Sequence, residues 1–293
     1  MADYGPRHSG RIFYVLYRPN YGAGLFSNVF HVLGHLRIAR DFDFTPVVDM
    51  EHFPTLYNEK TLINGTKNAW EYYFEQPSPH SLSEVYDSRH VILCDGKFRD
   101  SIYDSLPVAH DLAQTYLKVR PEILAQADAF WQERLEGHAV LGVHFRGQEQ
   151  NRTSGHAKGP TIQQMLGGAR DMMARHRVDR IFIVSEERAY IDVFKKHFGE
   201  MVVYTKAFRT YDDNAYAIRP HPRELHMYKL GLAVLLDTLL LSRCAYLLAH
   251  GKDGLGGSNV SRMAQVLSNN NYTDAHFIDN GIIEPQTPRG EEA

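Results

Sequence analysis

The chain has 293 residues, 43% of them hydrophobic and 23% charged, with a formal net charge of −3. That length holds one large domain or two, and the composition is that of an ordinary globular protein rather than a fibrous or disordered one. The slight acidity argues against generic nucleic-acid binding, which shows a basic excess, but leaves room for a local basic pocket.

Met1 to Gly10 is short and polar, without the apolar core of a signal peptide. Arg11 to Tyr17 is apolar and rich in strand formers, and predicts a first strand. A glycine-bearing turn, Arg18 to Gly24, leads into Leu25 to Phe42, where Phe26, Val29, Phe30, Leu33 and Leu36 recur at helical spacing. Thr45 to Met50 predicts a second strand, completing a βαβ unit. The aromatic segment Trp70 to Glu75 reads as core packing or as a loop contacting an acceptor. His90 to Cys94 is another strand candidate, and Asp111 to Leu135 is helical, with Pro121 starting a second helix. A soft boundary between halves is expected near residues 130–138, giving halves 1–135 and 136–280 and a disordered tail 281–293.

The second half continues the alternation: strand 140–144, helix 161–176, strand 180–185, helix 189–198, strand 201–204, helix 224–242, strand 245–249, helix 254–267 and strand 275–278. The most apolar window, Leu230 to Leu248, is broken by Asp237, Ser242 and Arg243, so it is not read as a membrane span. Cys94 and Cys244 lie in apolar stretches without metal-ligand spacing. They read as buried thiols, which favours a reducing compartment.

Four loops follow predicted strands and could carry chemistry. Gly22-Ala23-Gly24 precedes a helix, where backbone N–H groups approach anions; it is neither a Walker loop nor a full Gly-x-Gly-x-x-Gly, and a plain tight turn fits it as well. Leu141-Gly-Val-His144-Phe-Arg146-Gly-Gln-Glu149 is an apolar strand that ends in charge. Strand alternation puts His144 and Arg146 on one side, and an arginine there suits a diphosphate. An Arg146–Glu149 ion pair beside a core histidine is the competing reading. Ser185-Glu186-Glu187 offers acids to sugar hydroxyls or to the first turn of the next helix. Gly256-Gly257-Ser258-Asn259 combines capping with phosphate-binding chemistry. Asp237, a lone acid within an apolar helix, needs a partner: a nucleotide base or a structural arginine. No His-Glu-x-x-His spacing marks a metal site, and Asp41-Phe-Asp43 sits at a helix end rather than a strand end.

In order and spacing, the Gly22-x-Gly24-x-x-x-Asn28 loop, the His144-x-Arg146-x-x-Glu149 and Ser185-Glu186-Glu187 strand ends, Asp237 and Gly257-Ser258-Asn259-Val260 resemble the α1,6-fucosyltransferases. These are the rhizobial nodulation enzyme and the animal enzyme acting on the N-glycan core, within a wider group of GDP-fucose-dependent fucosyltransferases. The resemblance covers about residues 11–270. It implies an α/β, GT-B-like fold of two Rossmann-like halves facing a central cleft, with the acceptor side in the first half and the nucleotide sugar in the second. It implies an inverting, metal-independent transfer to a glycan or glycoconjugate hydroxyl, with GDP-fucose as the donor substrate and no cofactor. By the family pattern Arg146 matches the arginine on the diphosphate, His144 and Asp237 the pair near the guanine, and Ser258 a serine by the phosphates. Gly22, Gly24 and Asn28 match the loop that closes on the donor; Ser185, Gly257 and Asn259 accompany these in the donor site.

The sequence departs from that pattern at Gly147, where the family has a second arginine, at Gln150 in place of lysine, and at Ser154 in place of a proposed acceptor base. Glu149 is therefore the first candidate for the base and Glu186 the second. Ser154 also leaves a non-catalytic nucleotide- or glycan-binding module as the alternative, alongside a transferase for a different nucleotide sugar. The expected partners are the nucleotide sugar and the glycan acceptor, with no nucleic acid and no integral membrane span. The expected location is cytoplasmic, with a peripheral place at the inner face of a bacterial membrane compatible.

Overall fold

The computed structural model describes residues 1–146, 158–211, 221–251 and 257–281. The expected tail from residue 282 onward lies outside them. The chain divides into two compact units. The first comprises Met1–Ala129, Pro220–Leu236 and Gln265–Asn270; the second comprises Phe130–Arg219, Asp237–Ala264 and Asn271–Ala293.

In the first unit, β1 (Phe13–Leu16) lies between β2 (Thr45–Val48) and β3 (Val91–Leu93), all parallel. Helix α1 (Leu25–Asp41) joins β1 to β2 and buries the apolar positions that its periodicity predicted. It also buries three polar side chains, Asn28, His31 and His35. Trp70, Tyr72, Tyr73 and Phe74 are core, which decides between the two readings of that segment. A four-residue helix, α2 (Leu82–Val85), starts at a reciprocal capping box between Ser81 and Glu84. Helix α3 spans Leu106–Tyr116, and Pro121 opens α4 (Pro121–Arg134) as expected from its fixed φ and missing N–H. The first unit's leading segment ends inside α4.

In the second unit, β4 (Val140–His144), β5 (Arg180–Val184), β6 (Val202–Val203), β7 (Tyr246–His250) and β8 (Asp274–Ile278) form a parallel sheet in the order β6-β5-β4-β7-β8. Helices α5 (Ile162–Arg175), α6 (Arg188–Phe198), α7 (His226–Leu241) and α8 (Asn259–Ser268) alternate with them along the chain. The central strands are buried along nearly their whole length, which is why they read as short continuous apolar runs. Leu141, Val143, Phe145, Ile181 and Ile183 meet Met165, Ala169, Ile191 and Phe194 in one core.

From β4 the chain builds outward on one side through β5 and β6, then returns to the other side of β4 for β7 and β8. A sheet of this doubly wound kind has its ligand crevice beyond the carboxyl ends of the two strands where the order reverses. Here those strands are β4 and β7. Among the described residues no helix is long and apolar enough to cross a membrane.

Candidate functional site

The residue pair just beyond β4 and the residues that open α8 meet at that reversal. Arg146, two residues past β4, donates from Nη1 to Ser258 Oγ at 3.0 Å. Ser258 is buried and also accepts from the backbone N–H of Val260 at 3.3 Å, so the same hydroxyl caps α8 and holds the guanidinium. Arg146 is thereby fixed at the positive end of a ten-residue helix. Guanidinium and helix N-terminus together suit an anion with several oxygens. Gly257 has a separate reason to be glycine: a Cβ there would lie 2.2 Å from the carbonyl oxygen of His250. Its missing side chain lets the residues opening α8 lie against the end of β7.

His144 ends β4 and is only 4% exposed. Burial, then the neighbouring His250 and Arg146, hold its pKa well below the ordinary histidine value. The ring of His250 lies 6.1 Å away, and burial lowers that histidine to about 4. Both are therefore neutral near pH 7. Nδ1 of His144 has no hydrogen-bond partner among the described residues, a costly state for a buried polar atom unless a ligand completes it.

A second group forms where β5 and β6 end. Asp237, on α7, is 5% exposed; its Oδ1 accepts from Thr205 Oγ1 at 2.6 Å and its Oδ2 pairs with Arg209 Nη2 at 3.4 Å. Burial raises the Asp237 pKa, while Arg209 and Thr205 pull it back down. Asp237 thus has the arginine partner that a buried acid needs. Arg209 also donates to the carbonyl oxygens of Ser185, Thr205 and Ala207. It ties Ser185, at the end of β5, to Asp237. Sequence reasoning missed Arg209, which sits in an aperiodic loop with no motif around it. The only available signal was the need of Asp237 for a cation. The hydroxyl of Ser185 accepts from the N–H of Glu187 at 3.2 Å and so shapes the turn into α6. Glu186 is half-buried on that turn, one residue beyond Ser185.

Three expected donor-site residues belong to the first unit. Gly24 is the N-cap of α1, and Gly22 lies just before it in the turn. Neither has a positive φ, and a Cβ on Gly24 would meet nothing within 4 Å, while one on Gly22 would meet only Asn20 Oδ1, at 3.9 Å. The fold itself does not require glycine at either place, so the open backbone is available to a ligand. Asn28 is buried and donates to the Ala23 carbonyl at 3.5 Å, while its Oδ1 has no partner among the described residues. It braces the loop from beneath. Asn259 is the first residue of α8. Glu149, together with Gly147, Gln150 and Ser154, lies outside the described residues.

Two α/β units with parallel sheets, one carrying an arginine and a serine-capped helix at its strand-order reversal, define an α/β protein of GT-B-like fold. Residues 71–275, well over half of the chain, match the Nodulation protein Z (NodZ) family, and the chain belongs to it. Among solved structures it is similar to NodZ alpha-1,6-fucosyltransferase soaked with GDP-fucose, at 17% identity and a TM-score of 0.59 over 88% of this chain and 92% of that one. Fucosyltransferase NodZ from Bradyrhizobium gives 17% and 0.56 over 88% and 93%. POFUT1 in complex with GDP gives 12% and 0.55 over 92% and 99%. At these identities the likeness is one of fold. No curated protein sequence gives a match.

Proposed function

We propose that the chain is an inverting, metal-independent glycosyltransferase that moves fucose from GDP-fucose to a hydroxyl of a glycan or glycoconjugate. The observation that carries this is the Arg146–Ser258 pair at the N-terminus of α8, at the reversal between β4 and β7. Similar folds have been crystallised with GDP-fucose and with GDP.

In the reaction, the bond between the fucose anomeric carbon and the β-phosphate oxygen breaks, and its electron pair leaves with GDP. The charge developing on the diphosphate is met by the guanidinium fork of Arg146 and the N–H groups opening α8. These supply the positive charge that a cation would otherwise bring, so no cofactor is needed. Neutral His144 completes its free nitrogen on the donor, and Asp237, kept in place by Arg209 and Thr205, accepts from the guanine edge. The acceptor hydroxyl attacks from the face opposite the leaving group, which inverts the centre. Its proton passes to a carboxylate, Glu149 first and Glu186 second. The buried free thiols, Cys94 and Cys244, suit a cytoplasmic location.

The test is incubation of purified protein with GDP-fucose and, separately, with UDP- and ADP-sugars, following released nucleotide and the configuration of the sugar product. GDP release with inverted configuration is expected. Retained configuration, or preference for a UDP- or ADP-sugar, would overturn the reading. GDP binding with no turnover at all would favour a binding module instead.

A further inference from the structure

The amino end of the first unit's sheet carries a side-chain cluster that shares no residue with the candidate site. His8, His80 and Glu84 each offer one ligand-type atom, all within 4.8 Å of one another. His8 Nε2 and His80 Nδ1 both lie 3.8 Å from the same oxygen, Glu84 Oε1. The two rings stand edge-on to each other at 5.0 Å, and both pack against Phe13, the first residue of β1.

The carboxylate is held in place. Its other oxygen, Oε2, accepts from the N–H of Ser81 at 2.8 Å and from the Ser81 hydroxyl at 3.0 Å, the returning half of the α2 capping box. These bonds keep Glu84 ionised below the usual carboxylate range and leave Oε1 turned to the imidazoles. His8 is held as well. The N-terminal arm pairs Ala2 with Val91 and Arg7 with Asp87 and Arg89 through the backbone, and the Arg7 side chain adds an ion pair to Asp87 at 2.9 Å. Among the described residues, none of the three facing atoms makes a hydrogen bond, and His80 Nδ1 is buried. Three ligand-type atoms thus converge.

Two imidazoles and a carboxylate are a borderline-soft donor set of the kind that holds Zn²⁺. Ligands about 2.0–2.2 Å from a tetrahedral zinc sit a few tenths of an ångström closer together than the two 3.8 Å imidazole–carboxylate pairs do, and the two imidazole nitrogens, within 4.8 Å of each other, close on the ion by side-chain torsion. The buried cluster of His31, His35 and Cys94 differs: both ring nitrogens of His35 and Nε2 of His31 already have hydrogen bonds. We propose that His8 Nε2, His80 Nδ1 and Glu84 Oε1 form a Zn²⁺ site with a fourth position open to water. It lies at the amino end of the strands, away from where ligands of such sheets bind, and a bound ion there would fasten the N-terminal arm to α2.

The test is calorimetric titration of ZnCl₂ into the chelator-treated full chain, with hydrogen exchange of residues 2–8 as a second readout. One zinc per chain is expected, with slowed exchange across the arm. His8→Ala and His80→Ala should each weaken binding by more than the ~10–100-fold that even a ligand-orienting residue is worth. Glu84→Gln, which preserves the capping box, should weaken it too, while His90→Ala should not. No binding by the wild type would overturn the proposal. So would binding unchanged in the His8→Ala/His80→Ala double variant, provided that variant melts like the metal-free parent.

Discussion

Arg146→Ala is expected to slow fucosyl transfer by roughly two to three orders of magnitude, the usual cost of losing one preorganised donor to a developing charge, and to weaken GDP binding. Among the described residues the one hydrogen bond of Arg146 goes to Ser258 Oγ. A guanidinium has five N–H donors, so the bond to Ser258 fixes the fork and leaves the rest for phosphate oxygens. Arg146→Lys keeps the charge without the fork and should fall between wild type and alanine. The Ser258 hydroxyl still caps α8 through Val260 in either variant, so the fold should survive and the loss should appear in turnover rather than in melting. A transfer assay under saturating acceptor decides the matter. An alanine variant turning over like wild type would remove Arg146 from the reaction.

The second large effect falls on stability. Arg209→Met should destabilise the protein by about 3–5 kcal/mol, because it leaves a buried carboxylate without its cation. The side chains of Arg209 and Asp237 are only 3% and 8% exposed. The carbonyl oxygens of Ser185, Thr205 and Ala207 would lose a donor at the same time. With Arg209 gone, the pKa of Asp237, already raised by burial, should climb further. Arg209→Met combined with Asp237→Leu should recover much of the loss, since an apolar pair avoids the buried charge. Chemical denaturation of the single and double variants measures this. A single variant within about 1 kcal/mol of wild type, the scale of a surface pair, would mean that Arg209 does not support Asp237.

The βα alternation was legible because each central strand is buried on both faces and so appears as a short apolar run between turns. Helix α1 was legible from its 3.6-residue spacing, and α4 from Pro121. Helix α2 was not: four residues cannot display a period, although Ser81-x-x-Glu84 carried its capping signature. At the site, Arg146 and Ser258 stood out one by one as charge at a strand end and capping chemistry at a helix start. Their contact depends on β4 and β7 being neighbours, which is a property of the sheet order and not of any local stretch. Arg209 works through backbone carbonyls, which impose no pattern on the sequence. The His8, His80 and Glu84 cluster was hidden for a similar reason: the N-terminal arm folds back beside β3 and brings His8 to residues more than seventy positions away.

The central claim is that Arg146, Ser258 and the start of α8 hold the diphosphate of a guanine nucleotide. Titration calorimetry with GDP, UDP and ADP, on wild type and on Arg146→Ala, measures it most directly. The account predicts that wild type binds GDP well ahead of UDP and ADP, and that Arg146→Ala loses most of the GDP affinity. Equal affinity for the three nucleotides, or GDP binding unchanged without Arg146, would contradict it.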